Sequence, residues 1–88
     1  MPYAVEIKKD AKKALAKVPA KIRAQIQEKI EQLAQNPRFG SEKLEGFDSR
    51  FRFRQGDYRV IFEIEDDRLV VTVIKVGRRG AVYKAGGG

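Results

Sequence analysis

The sequence predicts an α+β domain: an N-terminal strand, a helical hairpin, then an antiparallel β-meander, with both helices packed on one face of the sheet. Three observations carry this. The apolar period is two at the N-terminus, becomes that of a helix from residue 10 to residue 36, and returns to two from residue 50 onward. Pro, Asn-Pro, Gly-Asp and Asp-Asp steps fall between the periodic runs. Strands that follow one another through tight turns pair antiparallel, and two amphipathic helices need one sheet face on which to bury their stripes.

Tyr3 to Lys8 alternates apolar and polar residues, which puts Tyr3, Val5 and Ile7 on one face of a short strand. From Asp10, an expected N-cap, Ala11, Ala14, Leu15 and Val18 recur at helical spacing, with Lys12, Lys13 and Lys17 on the other side. Pro19 disfavours a helical Val18 and suits the first turn of a new helix. That second helix carries Ile22, Ile26, Ile30 and Leu33 and stops at Asn36-Pro37. Residues 38–49 read as a loop with a short strand at Lys43-Leu44-Glu45. Arg50 to Arg54 then alternates strictly, Phe51 and Phe53 toward the core and three guanidinium groups away from it. Gln55-Gly56-Asp57 is a turn. Tyr58 to Glu65 is a strand with Tyr58, Val60, Phe62 and Ile64 in phase. After Asp66-Asp67, Leu69 to Val76 is a β-branched run suited to a central strand. Gly77 is expected to end it, Arg78-Arg79-Gly80 to form a basic turn, and residues 81–84 to close the domain. One domain over residues 1–85 is expected, with Gly86 to Gly88 as a disordered tail.

Eighty-eight residues make one domain, which buries about 60–65% of the surface of its unfolded chain. With neither His nor Cys, thiol nucleophiles, Ser-His and Cys-His pairs, zinc fingers, haem and iron–sulfur sites are excluded. No metal site and no cofactor are expected. Asp66-Asp67, with Glu63 and Glu65, forms an acid cluster that reads as turn chemistry. No signal peptide or membrane span is visible, so a cytoplasmic protein is expected.

Lys plus Arg number 19 against 12 Asp plus Glu, a net charge of +7 with a pI near 9.9, which points to an anionic partner. Seven of the ten lysines lie at or before Lys29, whereas seven of the nine arginines lie between Arg50 and Arg79. Arg50, Arg52 and Arg54 share a sheet face, to which the next strand adds Arg59. Like charges opposite one another on a sheet repel, so such a face favours a phosphate-rich ligand unless nearby acids, Glu63 and Glu65 among them, neutralise it. Arginine suits phosphate because its planar fork binds two oxygens at once. Arg78 and Arg79 add cations at the sheet end, and Tyr83 is either an aromatic closing the core or a platform for a base. Lys12 and Lys13 are either a solvated helix face or contacts to an RNA backbone.

Asn36-Pro37, Lys43-Leu44-Glu45-Gly46, Phe51-Arg52-Phe53-Arg54, Gly56-Asp57-Tyr58-Arg59-Val60-Ile61-Phe62, Val76-Gly77-Arg78-Arg79 and Val82-Tyr83, taken together, resemble the RelE/ParE toxin superfamily of toxin–antitoxin systems, and more closely its RelE-like branch. The resemblance spans nearly the whole chain. It implies two helices on an antiparallel sheet and a toxin that cleaves messenger RNA in the ribosomal A site until a cognate antitoxin neutralises it. Its partners would be the antitoxin, the ribosome and messenger RNA. It implies Arg52, Arg54, Arg59, Arg79 and Tyr83 as catalytic residues; the charge pattern, apart from the resemblance, adds Arg50, Arg78, Lys12 and Lys13 as expected RNA contacts. The implied reaction is metal-free attack of the ribose 2′-hydroxyl on the adjacent phosphate. The chain departs from the best-known RelE pattern in carrying Arg52 and Arg54 where that pattern has lysines. Arginine does not give up its proton, so a general base is not supplied at those positions. Two alternatives stand beside the ribonuclease: a non-enzymatic ParE-like toxin that inhibits DNA gyrase, and a plain RNA- or protein-binding module.

Overall fold

In the computed structural model, which describes residues 2–78, the elements run β1 (Ala4–Ile7), α1 (Lys9–Ala16), α2 (Ala20–Leu33), β2 (Glu42–Lys43), β3 (Arg50–Gln55), β4 (Tyr58–Glu65) and β5 (Val70–Arg78). The five strands form one sheet in the order β1-β5-β4-β3-β2. Strands β2 to β5 are the expected antiparallel meander. The helical hairpin carries the chain from one edge of the sheet to the other, so the last strand returns beside the first and β1 pairs with β5 in parallel.

Several boundaries differ from the sequence reading for local reasons. Helix α1 begins at Lys9 with Lys8 as its N-cap, so Asp10 lies in the first turn, where its carboxylate faces the positive end of the helix dipole. Pro19 is the extended N-cap of α2 (φ −52°, ψ 141°) and not its first helical residue. The short strand before β3 is Glu42–Lys43. Leu69 does not open β5 but closes the preceding turn at a φ of 53°. Gly77 does not end β5, which continues to Arg78.

The core lies between the helices and one sheet face. Ala11 and Leu15 of α1, Val18, and Ile26, Ile30 and Leu33 of α2 meet Phe51 and Phe53 of β3, Val60, Phe62 and Ile64 of β4, and Val71, Val73 and Val76 of β5. Tyr58 and Ile22 pack at its margin. The Phe51 and Phe62 rings stack with centroids 6.1 Å apart. Gln55 pairs with Tyr58 across the β3–β4 turn, which leaves two central residues. Gly56 takes the first of them at a φ of 60°, the left-handed position at which type II′ hairpin turns use glycine. At the opposite end of β4, Asp66 ties three segments together. It accepts two hydrogen bonds from Arg38, at 3.0 and 2.7 Å, and one from the Tyr3 hydroxyl at 2.6 Å. These donors, Arg38 first, hold its carboxyl at about 2, below the ordinary 3.8.

A register irregularity sits between Ile61 and Phe62: Phe62 pairs with Val73, but Ile61 pairs with Lys75. Ile74 is the extra residue of a β-bulge. Upstream of it Val71 and Val73 face the core. Unbroken alternation would continue this with Lys75 and Gly77. The bulge reverses the phase, so Val76 enters the core and Lys75 and Gly77 turn to the opposite face.

Candidate functional site

The sheet face turned away from the helices is built by alternation. Strand β3 contributes Arg50, Arg52 and Arg54; β4 contributes Glu63, Ile61 and Arg59 directly opposite them; β5 contributes Thr72, Lys75 and Gly77. The expected arginine face is therefore present, and the register shows that its members are not equivalent.

Arg50 stands opposite Glu63, and its Nε lies 3.1 Å from a carboxylate oxygen of that residue. The same guanidinium sits 4.5 Å from the centre of the Phe47 ring. Arg52 stands opposite Glu42 of β2 and meets its carboxylate at 3.2 Å. Both arginines carry acid partners, as the solvated-face alternative supposed. Those pairs are partly exposed and each is worth only about 0–1 kcal/mol, so a phosphate can take the place of the carboxylate.

Arg54 and Arg59 behave differently. They occupy the same register pair, so two guanidinium side chains leave the sheet side by side, and among the described residues neither makes an ion pair. Arg54 is exposed, whereas Arg59 is only 6% exposed, and its Nε is buried with no hydrogen-bond partner. Arg59 is the buried charged residue among the described residues. On its other flank stands Gly77, which has no side chain to crowd or neutralise it. A buried donor without a partner costs about 1–3 kcal/mol, and opposed like charges add to that cost. Two guanidinium groups without an acid partner among the described residues thus stand side by side at Arg54 and Arg59, with Arg52 two register pairs away on the same face.

Other candidates lie elsewhere. Arg78 stands opposite Tyr58, on the core side of the sheet end, so it does not join the arginine face. Its guanidinium lies 5.9 Å from the Tyr58 ring centre, and hydrogen bonding to the Tyr58 side chain, with the Asp57 carboxylate nearby, holds it more firmly protonated. Lys12 and Lys13 are exposed on α1, in the helix layer, with the sheet between them and the arginine face. Arg79 and Tyr83 lie outside the described residues. Asp66, the leading acid of the turn cluster, is occupied by Arg38 and Tyr3, and among the described residues no group of three acidic side chains gathers as a metal site would need. No helix among the described residues is long and apolar enough to cross a membrane.

The sequence reading missed Lys75 and the contrast between Arg59 and its neighbours. Strict alternation from Val73 places Lys75 in the core phase, and only the bulge turns it outward. The burial of Arg59 follows from its place on an interior strand, a signal already present in the order of the meander.

Comparison with known proteins identifies the family and the fold. Residues 5–83 match the family model described as the ParE toxin of the type II toxin–antitoxin system parDE. The chain is 33% identical over 88 residues to the RelE1 protein of Methanocaldococcus jannaschii, whose name assigns it as a toxin; the match covers 96% of this chain and 98% of that protein. It is 31% identical over 52 residues to the mRNA interferase toxin RelE of Escherichia coli, across 57% of this chain and 55% of the relative. Among solved structures, a mutant of Escherichia coli RelE in the free state superposes with a TM-score of 0.83 at 28% identity, covering 96% of this chain and 93% of that one. The archaeal RelE–RelB complex from Pyrococcus horikoshii gives a TM-score of 0.79 at 32% identity, over 91% of this chain and 98% of the other.

Proposed function

Because the chain belongs to the ParE toxin family of type II toxin–antitoxin systems, we propose that it is the toxin of such a pair, a metal-free endoribonuclease that cleaves messenger RNA in the ribosomal A site. The observation that carries this reading is the opposed Arg54–Arg59 pair, with the Nε of buried Arg59 lacking a partner. A scissile phosphate seated there receives hydrogen bonds on its non-bridging oxygens, where negative charge develops as the adjacent 2′-hydroxyl attacks. Cations already in place stabilise that charge without reorganising. The products are a 2′,3′-cyclic phosphate and a free 5′-hydroxyl. Arg52 supports the neighbouring phosphate, exchanging Glu42 for it. Arg79 and Tyr83, which follow β5 in the chain, complete the set that the family resemblance implies, Tyr83 as a stacking platform for a base.

The partner that silences the site is an antitoxin, a reading supported by the toxin–antitoxin complexes among the similar structures. A segment presenting carboxylates to Arg54 and Arg59 meets the same demand that a phosphate meets. Ribosomes and messenger RNA place the protein in the cytoplasm.

The test is cleavage of messenger RNA on programmed ribosomes. Arg54→Ala and Arg59→Ala are each expected to slow cleavage by about 100-fold or more, as loss of a charge-stabilising donor does elsewhere. A gyrase-directed toxin makes no use of an opposed arginine pair at a phosphate. Supercoiling inhibition that survives both substitutions, with no cleavage by the wild type, would replace the ribonuclease reading.

A further inference from the structure

The proposed cleavage needs a proton on the departing 5′-oxygen, and arginine is a poor source because guanidinium holds its proton too tightly. Strand β5 brings a cation of another kind to the face. Lys75 stands opposite Ile61, two register pairs from Arg59 and Gly77 and therefore their next neighbour on the same face. It is half-buried, and among the described residues it makes no ion pair. Of the acids of this face, Glu63 is held by Arg50, Glu42 by Arg52 and Glu65 by Arg68, while Glu6 stands on the edge strand β1 opposite Thr72. Lys75 reaches this face only because the bulge at Ile74 reverses the phase of β5, and bulges recur beside active sites where they re-aim a side chain. The long, flexible stem of a lysine has the reach to bring its ammonium to an anion held by the neighbouring Arg59.

We infer that Lys75 is the general acid of the reaction, its ammonium touching the 5′-oxygen of the phosphate held between Arg54 and Arg59. This rests on the ribonuclease reading given above. In the step, the 2′-hydroxyl proton passes to water and the 2′-oxygen forms the new bond to phosphorus. The bond from phosphorus to the 5′-oxygen breaks with its electron pair on oxygen, and that oxygen takes a proton from Lys75 Nζ. The neutral amine recovers a proton from the hydronium ion formed at the start, so the enzyme returns to its original state.

The experiment compares wild type, Lys75→Arg and Lys75→Met on ribosomes programmed with two messenger RNAs, one natural and one with sulfur replacing the bridging 5′-oxygen at the cleaved position. A thiolate leaves without protonation, so it bypasses a general acid. Both variants are expected to cleave the natural message about 100-fold or more slowly than wild type, the lower range for a lost proton donor, and the sulfur message at close to the wild-type rate. Lys75→Arg keeps the charge, so a merely electrostatic role predicts that it cleaves both messages as wild type does, and this result overturns the inference. Equal losses on both messages overturn it too, by showing a structural role. In either case wild-type cleavage leaves the ribonuclease reading standing. A wild type inert on both messages removes that reading and this one together.

Discussion

Replacing Arg59 with Met is expected to raise the stability of the free protein while abolishing its function. Met preserves the apolar stem through which the side chain packs and removes the charge. Two costs disappear with it: the cross-strand repulsion with Arg54, about 0.2–1 kcal/mol, and the buried Nε donor without a partner, about 1–3 kcal/mol. The small void left by the guanidinium head returns about 1 kcal/mol of loss. A net gain of about 1–2 kcal/mol corresponds, for a domain of this size, to a rise in Tm of about 4–16 °C. Thermal unfolding followed by circular dichroism measures it, with and without a short RNA oligonucleotide. At 100 times its dissociation constant a ligand adds about 2.7 kcal/mol to a protein that binds it. That increment is expected for wild type and is expected to be largely lost in Arg59→Met. A fall in Tm for Arg59→Met would refute the reasoning, because it would mean that the guanidinium gains more from its surroundings than its burial costs.

Three further outcomes follow from the fold. The carboxyl of Asp66 is held at about 2 by Arg38 and Tyr3 when folded and returns toward 3.8 when unfolded, so its contribution is complete above the unfolded value and lost as the pH falls through about 2. The Tm advantage of wild type over Asp66→Asn should therefore shrink between pH 5 and pH 2, and an unchanged gap would contradict the network. Gly56→Ala places a Cβ 3.5 Å from Ile22 Cδ1, an ordinary contact, but forces alanine to a φ of 60°. The expected cost is about 1–2 kcal/mol in urea unfolding, with Gly56→Asn milder. Lys12→Ala with Lys13→Ala should leave the rate of messenger RNA cleavage essentially unchanged, because the sheet separates these side chains from the arginine face. A large loss in that double variant would show that the helix layer also meets the RNA.

The helix stripes and the inward phase of Phe51, Phe53, Val60 and Phe62 were legible in the sequence because each depends on spacing within one segment. The parallel pairing of β1 with β5 was not, since nothing in residues 4–7 or 70–73 names a partner that distant. The same division runs through the site. Alternation alone put Arg50, Arg52, Arg54 and Arg59 on one face. It did not reveal that Glu63 and Glu42 satisfy two of them, because that depends on which residue of one strand stands opposite which residue of another. Arg78, expected in a turn at the sheet end, is instead a residue of β5 opposite Tyr58, and that register, not visible from its own segment, sets the side of the sheet it takes.

The extra residue at Ile74 also divides the duties of β5. The segment before it is fitted to β1 and the helices, the segment after it to the arginine face, and the phase of one no longer dictates the phase of the other. Regular pairing through Ile74 would rotate Lys75 into the hydrocarbon interior and Val76 out into water, whereas a one-codon deletion of Ile74 would join Val73 to Lys75 in an unbroken ladder and leave both on their present faces. Each half can accept substitutions on its own terms, and the strand can lose its extra residue without exchanging the faces of either half.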